Sequence, residues 1–405
     1  MKKHKKKVNH VNKIKKYFLN KVSEQMNDKF NVVEVVVIIF VSILFGAVVG
    51  FVLSSSRTFG TEVSSDVVEI INTYETIVDN YYGEIDKEEL LNAAVSGMVS
   101  TLDDPYSVFM NSSDTKEFNE TVDGSFVGIG ITLEWNDGGF KIVEVLKDSP
   151  AEKAGLKSGD YLIKIDDKDT SDIEINDVSD LIKKKDKVSL TILRNDSKKV
   201  IEVEKAVIEI PSVFSEKLED NIGYILIDNF TANTAIQFEH VLKKLEKQKI
   251  DSLIIDVRGN PGGRVNQVND ILELFFDKKT VLYQIGDDKD VKKIYSSKAD
   301  KRKYPVVLLV DGASASASEI LIACFRDNYK NATIVGGKTY GKGTIQKSLS
   351  LSSGASIKYT TQKWLTPKGE WINEIGIIPD VVVDYSMDVN QDIQLDKALE
   401  ILKNK

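Results

Sequence analysis

Three serines at alternate positions, Ser314, Ser316 and Ser318, could supply a nucleophile in this 405-residue chain. They follow the apolar run PVVLLVDG and precede the apolar run ILIACF, which predicts a strand, a loop of small residues and then a helix. A serine at a helix N-terminus lies where the helix dipole favours a developing negative charge. The simpler interpretation is a helix N-cap, which would suit Ser318. Periodicity alone does not choose among the three.

A serine nucleophile needs a base, and the chain offers few candidates. His240 is the one histidine outside the N-terminal tail, and it lies among charged side chains on a predicted solvent-exposed helix. This setting argues against a histidine-based triad, and no G-x-S-x-G elbow is present. Lys342 in TYGKGT is flanked by glycines and borders an apolar strand. Burial could lower its pKa from about 10.4 by several units, so it is the remaining candidate for the base.

The segment around Lys342 also matches part of a phosphate-binding loop. Residues 336–342, GGKTYGK, fit the first seven positions of G-x-x-x-x-G-K-[ST]. The next position holds Gly343 where a serine or threonine would reach Mg²⁺, and a predicted strand follows where a helix would receive the phosphate. The nucleotide-binding interpretation is therefore poor.

A glycine-rich loop, DVRGNPGG, follows the apolar run SLIID and spans residues 256–263. Its three glycines allow sharp turns and expose N–H groups that could stabilise an oxyanion. Standing alone, the loop would be read as an ordinary Gly/Pro turn. Strand and helix patterns alternate over residues 206–385, which predicts a mixed α/β layer with these loops at the C-terminal ends of its strands.

The N-terminal part of the chain is predicted to anchor it in a membrane. Residues 1–31 carry ten lysines and two acidic side chains, and the 22-residue run 32–53 contains Glu34 as its one charge. About 20 apolar residues suffice to cross a bilayer, and the lysine-rich side stays in the cytoplasm. We therefore expect a cytoplasmic tail at 1–31, a transmembrane helix at 32–53 and an extracytoplasmic remainder. The alternative is a cleaved signal peptide, although no convincing A-x-A site follows.

Composition excludes several classes of function. The chain carries a net charge of −8, and because residues 1–31 contribute +8, the remainder carries about −16, which does not suit nucleic acid. The single cysteine, Cys324, permits no intramolecular disulfide. One cysteine and three histidines cannot build a cysteine- or histidine-rich metal centre within the chain. The sequence predicts neither a metal nor an organic cofactor.

Two further regions precede the α/β part. Residues 62–112 show helical periodicity in two segments, and these amphipathic helices would need a neighbouring domain or a second subunit, as in a homodimer, to cover their apolar faces. Residues 113–205 contain five predicted strands, including FVGIGITLEW, and resemble a PDZ domain in the loop FVGIGI, the segment SPAEKAGL and the Gly-Asp pair before a strand. Such domains bind peptide C-termini. The resemblance implies that backbone N–H groups hold the terminal carboxylate, and these belong to Val127, Gly128, Ile129, Gly130 and Ile131. A PDZ-like unit used only for packing is the alternative.

From about residue 65 to 385 the chain resembles the C-terminal processing (tail-specific) serine peptidases. The motifs that carry this resemblance are SGMVSTLDDPYSVFM, DVRGNPGG, ASASE, TYGKGTIQ and TPKGEWINEIGIIPDV, together with the PDZ-like unit. The resemblance implies a mixed α/β, ClpP/crotonase-like peptidase core at residues 206–405. Tyr340 departs from the family pattern, because a phenylalanine is common there.

The resemblance also assigns roles to individual residues. It places the nucleophile at Ser316, the general base at Lys342 and a lysine-orienting glutamine at Gln346. The oxyanion hole would consist of Gly262 or Gly263 with the Ser316 backbone N–H. The implied activity is endopeptidase cleavage of extracytoplasmic proteins near a free C-terminus, without a cofactor. The alternatives from other classes are an inactive, membrane-tethered PDZ scaffold and a crotonase-like acyl-CoA enzyme.

Overall fold

The computed structural model describes residues 64–136, 139–171, 173–298, 302–384 and 391–404. The predicted cytoplasmic tail and the predicted membrane span at 32–53 lie outside these ranges. Among the residues described, no helix is both long and apolar enough to cross a bilayer. The chain divides into two units, residues 1–90 and 91–405, which we describe separately.

The helix of the first unit has no residue that is buried from solvent. Helix α1 spans Ser65–Asn80, and helix α2, which continues into the second unit, spans Lys87–Ser100. No residue of α1 is buried, and its apolar Val67, Ile70 and Ile71 are exposed. The predicted helical periodicity of this region is present.

The segment between these helices and the strand-rich region contains elements that were not predicted. Val108–Met110, which lies within the region 62–112 described as helical but beyond its second predicted helix, forms strand β1, and helix α3 follows at Ser112–Asp123. The α3 boundaries carry recognisable signals, because the Asn111 side chain accepts a hydrogen bond from Asp114 N and Gly124 ends the helix with φ 65°.

The region that resembles a PDZ domain is a small sheet with a helix across one edge. Its elements are β2 (Ser125–Gly128), β3 (Ile131–Asn136), β4 (Gly139–Val145), α4 (Pro150–Ala154), β5 (Tyr161–Ile165), β6 (Lys168–Asp169), α5 (Ile175–Lys184), β7 (Lys187–Arg194), β8 (Ser197–Glu204) and β9 (Ala206–Glu209). The sheet order is β3-β4-β5-β7-β8 with β6 on β5, while β2 pairs with β9 alone. FVGIGITLEW was predicted as one strand and is two, because the chain turns at Gly130, which has φ 84°.

The α/β region that follows contains two sheets. Its elements are β10 (Val213–Lys217), a 3₁₀ turn (Glu219–Asn221), β11 (Ile222–Ile227), α6 (Thr234–Lys247), β12 (Ser252–Asp256), α7 (Val265–Leu272), β13 (Val281–Gly286), β14 (Val291–Tyr295), β15 (Val306–Val310), α8 (Ala317–Asn328), β16 (Ala332–Gly336), β17 (Thr344–Ser350), β18 (Ser356–Leu365), β19 (Val381–Val382) and α9 (Ile393–Lys403). The first sheet has the order β10-β11-β12-β15-β16-β19 and is parallel except for β10. The second has the order β1-β18-β13-β14, with β17 on β18.

Both faces of the parallel sheet are buried, which explains its uninterrupted apolar strands. All five residues of β12 and of β15 are buried. Leu253 and Ile255 face the cluster that includes α6, α7 and α8, while Ile254 faces the cluster that includes Ala398 and Leu402 of α9. The sheet is therefore a rigid platform, and the loops at its carboxyl edge are fixed at both ends.

Candidate active site

Three loops meet at the carboxyl edge of the parallel sheet. They follow the neighbouring strands β12, β15 and β16, and they carry the glycine-rich segment, the serines and Lys342 in that order. The first two are joined by the Asp311 carboxylate, which accepts a hydrogen bond from the Gly259 N–H at 3.0 Å and from two N–H groups of its own loop. The predicted convergence of these motifs at the strand ends is present.

The hydroxyl groups of the three serines have different partners. Ser314 Oγ donates to the Val257 carbonyl oxygen at 2.8 Å, and Ser318 Oγ donates to the Asn260 carbonyl oxygen at 3.0 Å. Both residues are buried, so their hydroxyls fasten the serine loop to the glycine-rich loop. Ser316, and not Ser318, is the N-cap of α8; it is half-buried, and its Oγ faces the Glu319 backbone N–H in a capping box. Among the described residues its hydroxyl donates no hydrogen bond, so of the three serines Ser316 is the one whose hydroxyl proton is uncommitted.

Ser316 also has a strained backbone. Its φ of 55° and ψ of −111° lie in a region that residues with a Cβ rarely adopt. Such a conformation costs on the order of 1–3 kcal/mol and persists where the surroundings enforce it, most often at functional sites. The residue stands between strand β15 and the N-terminus of α8, which is also the position of the nucleophile in the elbow of α/β-hydrolases, although the G-x-S-x-G pattern is missing.

A buried carboxylate, that of Glu319, links the serine loop to the lysine loop. Its Oε2 accepts hydrogen bonds from the backbone N–H groups of Ser316 and Lys342, both at 2.8 Å. Its Oε1 accepts hydrogen bonds from Thr339 Oγ1 at 2.6 Å and the Gly341 N–H at 2.7 Å. Glu319 is fully buried, so these four donors hold a charge that has no solvent around it. The two loops are thereby fixed relative to each other.

The glycine-rich loop lies directly against the serine. A Cβ added at Gly262, which has φ 105°, would come within 2.8 Å of Ser316 Cβ. The Gly262 N–H donates to Asn260 Oδ1 at 2.8 Å, and the Ser316 N–H is engaged by Glu319. Within the part of the chain that is described, the N–H groups of Gly263 and Ala317 make no hydrogen bond. Ala317 directly follows Ser316, whereas the atoms nearest to Gly263 belong to Phe230 and Asn229. The roles of Gly262 or Gly263 and of the Ser316 N–H in an oxyanion hole remain predictions.

The Lys342 side chain is half-buried and lies over an aromatic ring. Its Nζ stands 4.6 Å from the centroid of the Tyr106 ring. Burial, reinforced by the Lys358 ammonium, lowers the pKa of Lys342, and the carboxylates of Asp104 and Glu319 offset part of that effect. No hydrogen bond between Lys342 Nζ and Ser316 Oγ occurs among the described residues. The loops that carry Lys342 and Ser316 are adjacent, but the Lys342 amine lies over the Tyr106 ring and not against Ser316.

Gln346 lies on β17, four residues beyond Lys342. Its Nε2 donates to Thr344 Oγ1 at 2.9 Å and to Thr360 Oγ1 at 3.0 Å. These contacts fix the side-chain amide on the sheet next to the lysine loop, and none of them reaches Lys342. Its predicted role in orienting the lysine remains a prediction. His240 is exposed on α6 and lies at the junction with the PDZ domain, among the residues lining a cleft that includes Lys147 and Val207.

Comparison with known proteins assigns the chain to a family. Residues 221–383 match peptidase family S41, residues 52–115 match the N-terminal domain of the activating protease CtpB, and residues 141–194 match the PDZ domain. The carboxy-terminal processing protease CtpB of Bacillus subtilis is 40% identical over 323 residues, which cover 78% of this chain and 67% of the relative. The chain belongs to the carboxy-terminal processing proteases of family S41. The carboxy-terminal processing protease CtpA of the same organism is 34% identical over 353 residues, which cover 85% of this chain and 76% of the relative.

The predicted family membership is therefore confirmed, and so is the PDZ domain. This processing protease is a serine-type peptidase with a mixed α/β core. The inactive scaffold and the acyl-CoA enzyme are set aside accordingly.

The PDZ domain of the processing protease has a groove beside an edge strand. A cavity of about 280 Å³ lies between β3 and helix α5. It is lined by Phe126, Gly128, Ile129, Gly130, Ile131, Thr132, Leu133, Ile175, Ser179, Ile182 and Lys183. Of the five residues predicted to hold a carboxylate, four line this groove, whereas Val127 is exposed on β2 and pairs with Val207. The N–H groups of Ile129 and Gly130 make no hydrogen bond within the described residues.

Several residues of the site were not predicted from the sequence. The hydrogen bonds of Glu319 and the position of the Ala317 N–H depend on the strained turn at Ser316, which sequence spacing does not reveal. Tyr106 lies more than two hundred residues from Lys342 in the chain. The signal that could have found it is the motif SGMVSTLDDPYSVFM, which carried part of the family resemblance but received no role.

Proposed function

We propose that this processing protease is a membrane-anchored serine endopeptidase that cleaves extracytoplasmic proteins near their C-termini, with Ser316 as nucleophile and Lys342 as general base. The observation that carries the proposal is the bridging of the two loops by Glu319, which accepts hydrogen bonds from the backbone of both residues. Among the described residues, the hydroxyl of Ser316 donates no hydrogen bond, while those of Ser314 and Ser318 donate to carbonyl oxygens of the glycine-rich loop.

The proposed reaction begins when neutral Lys342 leaves the Tyr106 ring and accepts the proton of Ser316 Oγ. The Oγ atom attacks the scissile carbonyl carbon, and the departing amine takes the proton from Lys342. Water then hydrolyses the acyl-enzyme, again with Lys342 as base. The N–H groups of Gly263 and Ala317 support the oxyanion in this proposal, since neither makes a hydrogen bond among the described residues. Ala317 follows Ser316 in the chain, and Gly263 follows Gly262, which lies against Ser316.

The PDZ groove is proposed to bind the substrate tail. Strand β3 is an edge of its sheet, so an extended peptide can add to it as a further strand. The terminal carboxylate would meet the N–H groups of Ile129 and Gly130, and the aliphatic lining favours an apolar last side chain. Binding there either delivers the tail to Ser316 or opens the site.

The location of the peptidase is also a proposal. The lysine-rich residues 1–31 and the apolar run 32–53 support a single-pass anchor with the catalytic part outside the cytoplasm. The exposed apolar residues of α1 are compatible with the predicted second subunit.

Substitution of the proposed dyad tests the mechanism. With the full chain in detergent and a peptide substrate with a free C-terminus, Ser316→Ala and Lys342→Ala should each lower kcat by at least about a thousand-fold. His240→Ala and Lys338→Ala are the controls, because His240 and Lys338 are both exposed, the latter in the loop that carries Lys342. Retained turnover in Lys342→Ala, or loss of turnover in His240→Ala, would refute the dyad.

A further inference from the structure

The resting place of the Lys342 amine is an aromatic ring from a distant part of the chain. Tyr106 belongs to the turn that precedes β1, and its ring centroid is 4.6 Å from Lys342 Nζ. A cation within about 6 Å of a ring face is attracted by the ring quadrupole, and a neutral amine lacks that attraction. The ring therefore discriminates between the two protonation states of the proposed base.

The turn that carries Tyr106 is itself fixed. Asp104 accepts hydrogen bonds from the Tyr106 N–H at 3.1 Å and from Ser107 Oγ at 2.5 Å. Ser107 Oγ in turn accepts one from the Thr360 N–H at 3.1 Å, and Thr360 Oγ1 accepts one from Gln346. The turn thus reaches the second sheet at the residue that also holds Gln346.

Burial, together with a hydrogen bond to the neighbouring Tyr340, raises the pKa of Tyr106 to about 12, so the phenol remains neutral. The ring is therefore a constant partner for Lys342 across the pH range of the enzyme.

We propose that Tyr106 is a positioning residue that holds the protonated Lys342 side chain off Ser316 and releases it on deprotonation. This inference rests on the proposed function, because it takes Lys342 as the base. Other charged groups facing the amine are Lys358 on β18, Asp104 on the same turn as Tyr106, and Glu319 on α8, and the phenol of Tyr340 also lies nearby. None of these groups is removed when the ring alone is changed.

The consequence is measurable in the pH profile. Loss of the ring removes stabilisation from the protonated amine, so Lys342 should lose its proton at lower pH. The acid limb of kcat/KM should then shift to lower pH in Tyr106→Leu by about half a unit to one unit. Tyr106→Phe keeps the ring, so the acid limb of its kcat/KM profile should coincide with that of the unmodified enzyme. KM should stay unchanged in both variants, because Tyr106 is not assigned a contact with substrate.

The test compares these variants in the full chain, with thermal unfolding as a check that each is folded. A matched pair, phenylalanine and pentafluorophenylalanine at position 106, differs in ring charge distribution with nearly the same shape, and the fluorinated ring should shift the acid limb as leucine does. Coincident acid limbs for all folded variants would overturn the inference, as would equal shifts for phenylalanine and leucine. Lys342→Ala is assayed alongside: if it is inactive while the acid limbs coincide, the role of Tyr106 is refuted and the dyad stands, whereas activity in Lys342→Ala refutes the dyad itself.

Discussion

At the scale of single residues, the central feature is that one buried carboxylate organises the site. Glu319 receives two N–H groups from the lysine loop, one from the serine, and the hydroxyl of Thr339. Burying a carboxylate is costly unless hydrogen bonds satisfy it, and here both oxygens are satisfied twice. The strained backbone of Ser316 is held by this contact, since its N–H is bound by the carboxylate.

Replacement of Glu319 by glutamine should therefore damage both stability and turnover. An amide presents an NH₂ group to N–H donors, so at least one buried donor loses its acceptor. We expect the free energy of unfolding to fall by about 1–3 kcal/mol and kcat to fall with it. Urea unfolding and peptide hydrolysis measure the two effects. Glu370→Gln is the matched control, because Glu370 is an exposed partner of Arg326 and should change stability by less than about 1 kcal/mol. Equal losses in the two variants would contradict the role given to Glu319.

At the scale of elements, the strands and helices that are fully buried could be predicted from the sequence, whereas those that depend on distant partners could not. The strands β12 and β15 and the helix α8 were predicted because long apolar runs leave no other placement for them in a packed layer. The strand Val108–Met110 depends on its pairing with β18, and the break of FVGIGITLEW at Gly130 depends on the separate pairings of β2 with β9 and of β3 with β4. Propensity within a short window does not report such partners.

The PDZ groove provides a test at this scale. Lys183 lines the same groove as the N–H groups proposed to hold the tail carboxylate, whereas its neighbour Lys184 does not line it. Lys183→Glu places a like charge beside that carboxylate and should raise KM about ten-fold for substrates with a free C-terminus. The unmodified enzyme should cleave amidated substrates more slowly than free ones. Lys183→Glu should leave the KM for amidated substrates unchanged. Lys184→Glu serves as the control. If free and amidated substrates are cleaved equally by the unmodified enzyme, tail recognition by the groove is wrong.

At the scale of the whole molecule, the charge distribution of the chain bears on its orientation. Residues 1–31 carry a strong net positive charge, and the rest of the chain carries a net negative charge. This asymmetry across the apolar run 32–53 predicts a cytoplasmic tail and an external catalytic part.

Protease added to intact cells should degrade the PDZ and peptidase parts while a tag at the N-terminus survives. Permeabilised cells are the control, in which both should be lost. Degradation of the N-terminal tag alone in intact cells would show the opposite orientation.

The pairing of β2 with β9 has a consequence for how such enzymes can diversify. The strand that enters the PDZ domain and the strand that leaves it lie side by side, with Phe126 opposite Ile208 and Gly128 opposite Ala206. Everything between them is inserted into the chain at a single two-stranded stem. The part of the PDZ domain beyond this stem could be exchanged without changing the three loops at the carboxyl edge of the parallel sheet, although Phe126 and Gly128 of the stem also line the groove. If the groove binds substrate tails as proposed, the choice of tail and the hydrolytic loops can evolve separately within one polypeptide.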